Sequence, residues 1–188
     1  MKKIVMVLFT AFMVVALVAC GGKEEVFAPE EINEGTDRCD VCNMLVPNDH
    51  NAAQLVLDDG QALKFDDIGC LFEWVDENGL DDVNVRYVRD YDSEEWLQIE
   101  NATFVFDKDF RTPMAYGVYS FKSKEDAETF IEEEGKGKLL SYAELEKHSW
   151  ERNMELMEEM KEEHGHDHDH GDDHDGHDEE EADHEHEE

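Results

Sequence analysis

Cys39, Cys42 and Met44 place three sulfur side chains within residues 39–44. Thiolate and thioether are soft donors, and together they favour Cu(I) over hard cations. Two thiols alone have other uses: a disulfide, half of a zinc site, or a redox pair. Met44 adds a donor that none of these requires. In an extended segment Cys42 and Met44 project to the same side and can reach one small ion together. A structural zinc site usually takes four ligands, often as two Cys pairs, and no second pair is present. A thioredoxin-type pair opens a helix, whereas Val46, Pro47 and Asn48 break any helix soon after Cys42.

A second group of donors closes the chain. His164, His166, His168, His170, His174, His177, His184 and His186 stand among carboxylates. Imidazole suits Cu(II) and Zn, so this tail reads as a metal-capturing segment with little selectivity. Cys70 falls in a helical pattern opposite the stripe of Ile68, Leu71, Phe72 and Val75, and reads first as a small buried hydrophobe, with a metal-ligand role as the alternative. Met154, Met157 and Met160 stand at helical spacing and read as a packing face rather than a thioether ladder. His50 and His148 are isolated. His50 lies near the Cys-Met loop in sequence, which makes it a secondary ligand candidate.

These donors need elements to position them. Lys2, Lys3 and the apolar run of residues 4–18 read as an export signal, and Leu17, Val18, Ala19 and Cys20 resemble a bacterial lipobox. Cleavage before Cys20, with lipid on its sulfur, is expected. The organisation is then a signal peptide over 1–19, a lipid-anchored tether over 20–37, a domain over 38–145, a C-terminal helix extension over 146–163 and a disordered tail over 164–188. Three thiols remain after lipidation, an odd number that argues against a simple disulfide framework. The 51 Asp and Glu against 16 Lys and Arg give a net charge of −35, which repels phosphate and excludes nucleic acid as a partner.

Residues 52–142 divide into two units of one pattern. In the first, 52–57 reads as a strand, Asp58-Asp59-Gly60 as a hairpin turn and 61–65 as the return strand. Asp66 or Asp67 caps a helix that Asn78-Gly79 ends, and 83–88 is a following strand. In the second, 102–106 and 115–121 are strands, Ser123 caps a helix that Gly135 and Gly137 stop, and 139–140 starts a short strand. The pattern predicts an α+β fold of two strand-strand-helix-strand modules, with sheets covered by helices. A capping box at Ser141 and Glu144 opens a last helix carrying Trp150, Met154 and Met157.

At this point a family resemblance is specific. Residues 39–44, CDVCNM, resemble the Cys-x-x-Cys-Gly-Met signature of the NosL family of copper-binding lipoproteins, associated with nitrous-oxide reductase assembly. Residues 65–71, 87–91 with Glu95 and Trp96, and 112–117 resemble further segments of that family. The resemblance spans residues 39–145 and implies a fold similar to the repeated small modules of an organomercurial lyase. It also implies Met114, after Pro113, as a distal Cu(I) ligand closing over the Cys-Met loop. Asn43 stands where the family has Gly, and Asn tolerates the left-handed backbone that Gly would supply.

The expected function is that of a non-enzymatic copper chaperone tethered to the outer face of the cell membrane. Cu(I) would sit at Cys39, Cys42, Met44 and Met114, with Cu(II) or Zn at the tail. A copper enzyme, nitrous-oxide reductase by the resemblance, or a copper transporter would be the partner. Two alternatives stand beside it: an exported thiol-disulfide oxidoreductase, and a zinc- or nickel-scavenging lipoprotein. Redox exchange needs no thioether, so the methionines distinguish the first reading from the second.

Overall fold

A computed structural model describes residues 26–165. Both expected modules form. Strands β1 (Ala53–Leu57) and β2 (Ala62–Phe65) make an antiparallel hairpin. Its turn is closed by Leu57 N–H donating to Gln61 O at 2.9 Å, with Gly60 at φ 87°. That positive φ is why glycine stands there. Helix α1 (Ile68–Asn78) follows, and β3 (Val83–Arg89) returns along the other edge of β1. A short strand β4 (Trp96–Gln98), not anticipated in the sequence, extends the sheet to the order β2-β1-β3-β4. The second module repeats the plan with β5 (Thr103–Phe106), β6 (Val118–Phe121), helix α2 (Lys124–Glu134) and β7 (Lys138–Leu140), ordered β6-β5-β7. In each module the first strand is central, with the second and third on either side.

The helix ends follow their local chemistry. Asp67 caps α1 by accepting Gly69 N–H at 2.9 Å, and Ser123 caps α2 by accepting Asp126 N–H at 3.2 Å. These acceptors satisfy donors that the first turn leaves without intrahelical partners. Helix α1 packs on β1 and β2 and also reaches β6, so it lies where the modules meet. The main core crosses that junction: Leu55, Phe65 and Leu71 share one cluster with Phe104, Val118 and Leu140. Gly69 is required by this contact, because a Cβ there would come within 2.0 Å of the Tyr116 ring.

The C-terminal region differs from expectation. The Ser141–Glu144 capping box forms, but its helix α3 (Tyr142–Leu145) ends after one turn. A separate helix, α4 (Met154–Gly165), carries the methionines. Between them Trp150 sits at φ 49°, a left-handed conformation that costs a bulky residue energy. Tertiary contacts hold this break. The Trp150 ring stacks on Phe72 at 4.3 Å. Arg152 Nε donates to Tyr116 Oη at 2.8 Å, Arg152 Nη2 pairs with Glu73 at 2.5 Å, and Asn153 N–H donates to Ala115 O at 2.9 Å. Helix α4 extends through His164, the first residue of the expected tail. The expected signal segment, Cys20 and the tail histidines from His166 onward lie outside the described residues.

Candidate metal centre

Residues 39–44 form a closed turn rather than the extended segment expected from sequence. Asn43 N–H donates to Cys39 O at 2.9 Å and Cys39 N–H to Met44 O at 2.8 Å, with Arg38 and Leu45 bridged across the base. Asn43 takes φ 61°, the left-handed conformation its side chain tolerates. Because the chain turns, Cys42 and Met44 have different surroundings. Cys42 is half-buried against the core, while Met44 is 50% exposed.

Lys64 on β2 docks this loop. Asp40 N–H donates to Lys64 O at 3.0 Å, Lys64 N–H donates to Asp40 Oδ2 at 2.8 Å, and Lys64 Nζ pairs with Asp37 at 2.7 Å. The loop therefore lies against the end of β2, where the chain passes through Asp66 and Asp67 into α1. There the ligand atoms of Cys39, Cys42, Asp66 and Cys70 all lie within 4.8 Å of one another. Cys42 Sγ donates to the two oxygens of Asp66 at 3.4 and 3.3 Å. All three cysteines are free thiols, and Cys39, Asp66 and Cys70 are buried.

Two of these residues change the sequence reading. Cys70 is buried as expected, yet it is also a member of the cluster. The sequence offers Asp66 as a possible helix cap within the 65–71 segment; Asp67 takes that role and leaves Asp66 facing the thiols. The available signal was the doubled Asp before a helix that needs one cap. The cluster also removes the ligand-count argument against zinc, since three Cys and one Asp make four ligands without a second Cys pair.

Charge in this pocket is rationed. The Cys39 thiol is drawn down to about 5, first by its hydrogen bond with the Cys70 side chain. Cys70 is pushed far up, first by that same bond and then by burial. Burial pushes Cys42 up to about 12, with the Asp66 and Cys39 charges adding to it. Burial also pushes the Asp66 carboxyl up to about 7. Repulsion among desolvated anions opposes loss of further protons once one thiolate exists. A bound cation offsets that repulsion, so the donor set fits a metal whose entry displaces protons.

The remaining candidates fall into three places. Met114 is buried in the same core cluster as Cys39 and Cys70, and its N–H donates to Asp67 Oδ2 at 2.9 Å. His50 lies outside the four-residue cluster and packs on Tyr91 and Tyr119, with ring centroids 4.5 and 5.4 Å away. Met44 faces a cavity of about 680 Å³ together with Pro113, Met157 and Met160. His148 packs against Phe106 and Trp150.

A family model described as NosL matches residues 29–150. The fold is similar to the crystal structure of the copper chaperone NosL from Shewanella denitrificans, with a TM-score of 0.55 and 26% identity, covering 64% of this chain and 96% of that chain. Comparison with curated proteins gives no match.

Proposed function

Since the chain belongs to the NosL family, we propose that it is a membrane-tethered, extracytoplasmic carrier of Cu(I). The observation that carries this reading is the convergence of Cys39, Cys42 and Cys70 on Asp66 at the edge of the core. Thiolates supply the soft donors that Cu(I) prefers. Met44 and Met114 complete the proposed ligand set as thioethers, which bind without losing a proton. Cys39 and Cys70 are buried and Cys42 is half-buried, which favours handing metal to a docked partner over releasing it to water. The copper chaperone described for the Shewanella relative supports a copper-requiring client here, with nitrous-oxide reductase the client that the family resemblance suggests.

Lipid on Cys20 would hold the carrier at the membrane, where tethering raises its effective concentration near a membrane-facing client. Histidines of the tail would gather Cu(II) or Zn. A zinc-binding reading deserves a place because Asp66 supplies an oxygen and completes a four-ligand set. Identifying the metal that co-purifies under anaerobic conditions, from membranes of cells carrying the natural protein and Cys20→Ser, tests both parts. Copper on a membrane-bound protein, with Cys20→Ser released or left unprocessed, supports the reading. Zinc in the thiol cluster, or a natural protein that is freely soluble, contradicts it.

A further inference from the structure

The methionines of α4 do not all pack as the sequence suggested. Met154 is 58% exposed. Met157 and Met160 turn inward and, with Met44, line the cavity of about 680 Å³. Their side chains therefore border open space as well as core. Met44 lies two residues beyond Cys42, and Pro113, which also lines the cavity, precedes Met114. The cavity thus opens between the Cys-Met loop, the Pro-Met turn and α4. Helix α4 lies beyond the residues that the family model matches, 29–150.

We propose that Met157 and Met160, with Met44, form a second, weaker Cu(I) site that passes the ion to or from the cysteine cluster. This rests on the carrier reading above and adds the route by which the ion moves. Thioethers are neutral and soft, so they suit a singly charged soft ion and offer little to a hydrated divalent one. Arg111 and Lys161 also line the cavity and add a repulsion that disfavours divalent ions most. Arg111, on the cavity wall, pairs with Glu163 of α4. Met44 belongs both to the loop of Cys39 and Cys42 and to the cavity wall, so it is the step between the two sites. Thiolates bind Cu(I) more strongly than thioethers, so the ion settles on the cysteines and dwells only briefly on the methionines.

The test uses the full chain carrying ¹³C at its methionine methyls. It is run without oxygen at about pH 5, where imidazole is protonated and the His tail does not compete. Cu(I) is added while thiolate-to-copper absorption is followed alongside the methyl signals. The expected result is movement of the Met44 methyl as the absorption rises to saturation, followed on further addition by joint movement of the Met157 and Met160 methyls with Met154 unmoved. Methyls of Met157 and Met160 that stay still, or that move no more than Met154, overturn the proposal. Absence of the thiolate absorption both here and at about pH 7 instead defeats the carrier reading, and the methyl signals report separately on the second site. As a second measurement, the double variant Met157→Leu/Met160→Leu conserves side-chain volume. It should load its cysteine cluster from a Cu(I)-chelator complex about tenfold more slowly, at unchanged final affinity. Unchanged loading rates overturn the transfer role.

Discussion

The carboxylate of Asp67 accepts the backbone N–H of Met114 at 2.9 Å while also capping α1 through Gly69. One buried side chain thus joins the helix that carries Cys70 to the turn that carries Met114. Thr112 of the same turn donates a further hydrogen bond to it, and Ala115, next in the chain, takes the left-handed φ 56°. Asp67→Ala removes the cap and leaves Met114 N–H without its acceptor. An N-cap is worth ~1 kcal/mol, and leaving a buried N–H without its acceptor costs ~1–3 kcal/mol. Denaturant unfolding should show a loss of about 3 kcal/mol, and a loss below ~1 kcal/mol would contradict the tie.

Cys70 and Asp66 separate the two metals. Cys70→Ala keeps a small buried side chain, so stability should change by no more than ~1.5 kcal/mol while Cu(I) affinity falls at least about tenfold. Asp66→Asn removes the charged oxygen that a zinc site would use. It should weaken Zn at the cluster far more than Cu(I), as measured by thiol protection from alkylation. Cys70→Ala with unchanged Cu(I) affinity would return Cys70 to a packing role.

Copper affinity should rise with pH across the neutral range. Cys39 is drawn down to about 5 and is already a thiolate at neutrality, whereas Cys42, at about 12, and Cys70, pushed far up, keep their protons. Ligation must displace those protons, so acid favours the metal-free state. Calorimetry in two buffers of different ionisation enthalpy should count about two protons released per Cu(I) near pH 7. Release of none would mean that Cys42 and Cys70 do not ligate.

Arg152 holds α4 in place by bonding both Tyr116 Oη and Glu73. Arg152→Ala should speed hydrogen exchange over residues 150–165 while leaving β1 and β5 protected. The same clamp weakens in acid. The Glu73 carboxyl is held below its ordinary value, first by the Tyr116 hydroxyl. Its contribution is therefore complete above the ordinary carboxylate range and is lost as pH falls through the lowered value. Exchange over 150–165 that is insensitive to Arg152→Ala would show that the remaining contacts, Trp150 on Phe72 and Asn153 on Ala115, hold the segment without it.

Most of the fold was legible because its signals are local. The Asp58-Asp59-Gly60 turn, a cap at Asp66 or Asp67, the Ser123 cap and the Gly79 and Gly135 stops each follow from neighbouring residues, and the doubled module follows from their order. Met44 was legible as a soft donor, but its direction was not. The extended reading failed because hydrogen bonds within residues 39–44 and the docking on Lys64 close the turn. Asp66, 24 positions from Cys42, and Cys70 beyond it joined the site through that same docking, which helical periodicity cannot report. Likewise the break before α4 comes from Trp150 on Phe72 and Arg152 on Tyr116, contacts between distant segments.

The most direct test of the central claim is an anaerobic Cu(I) titration of the full chain against a Cu(I) chelator, with Zn in excess. Occupancy is read by protection of Cys39, Cys42 and Cys70 from alkylation, which reports on the cluster and not on the His tail. A copper carrier predicts that one equivalent of Cu(I) protects all three thiols together and that Zn does not displace it. Displacement of Cu(I) by Zn, or equal protection by Zn alone, would contradict the account.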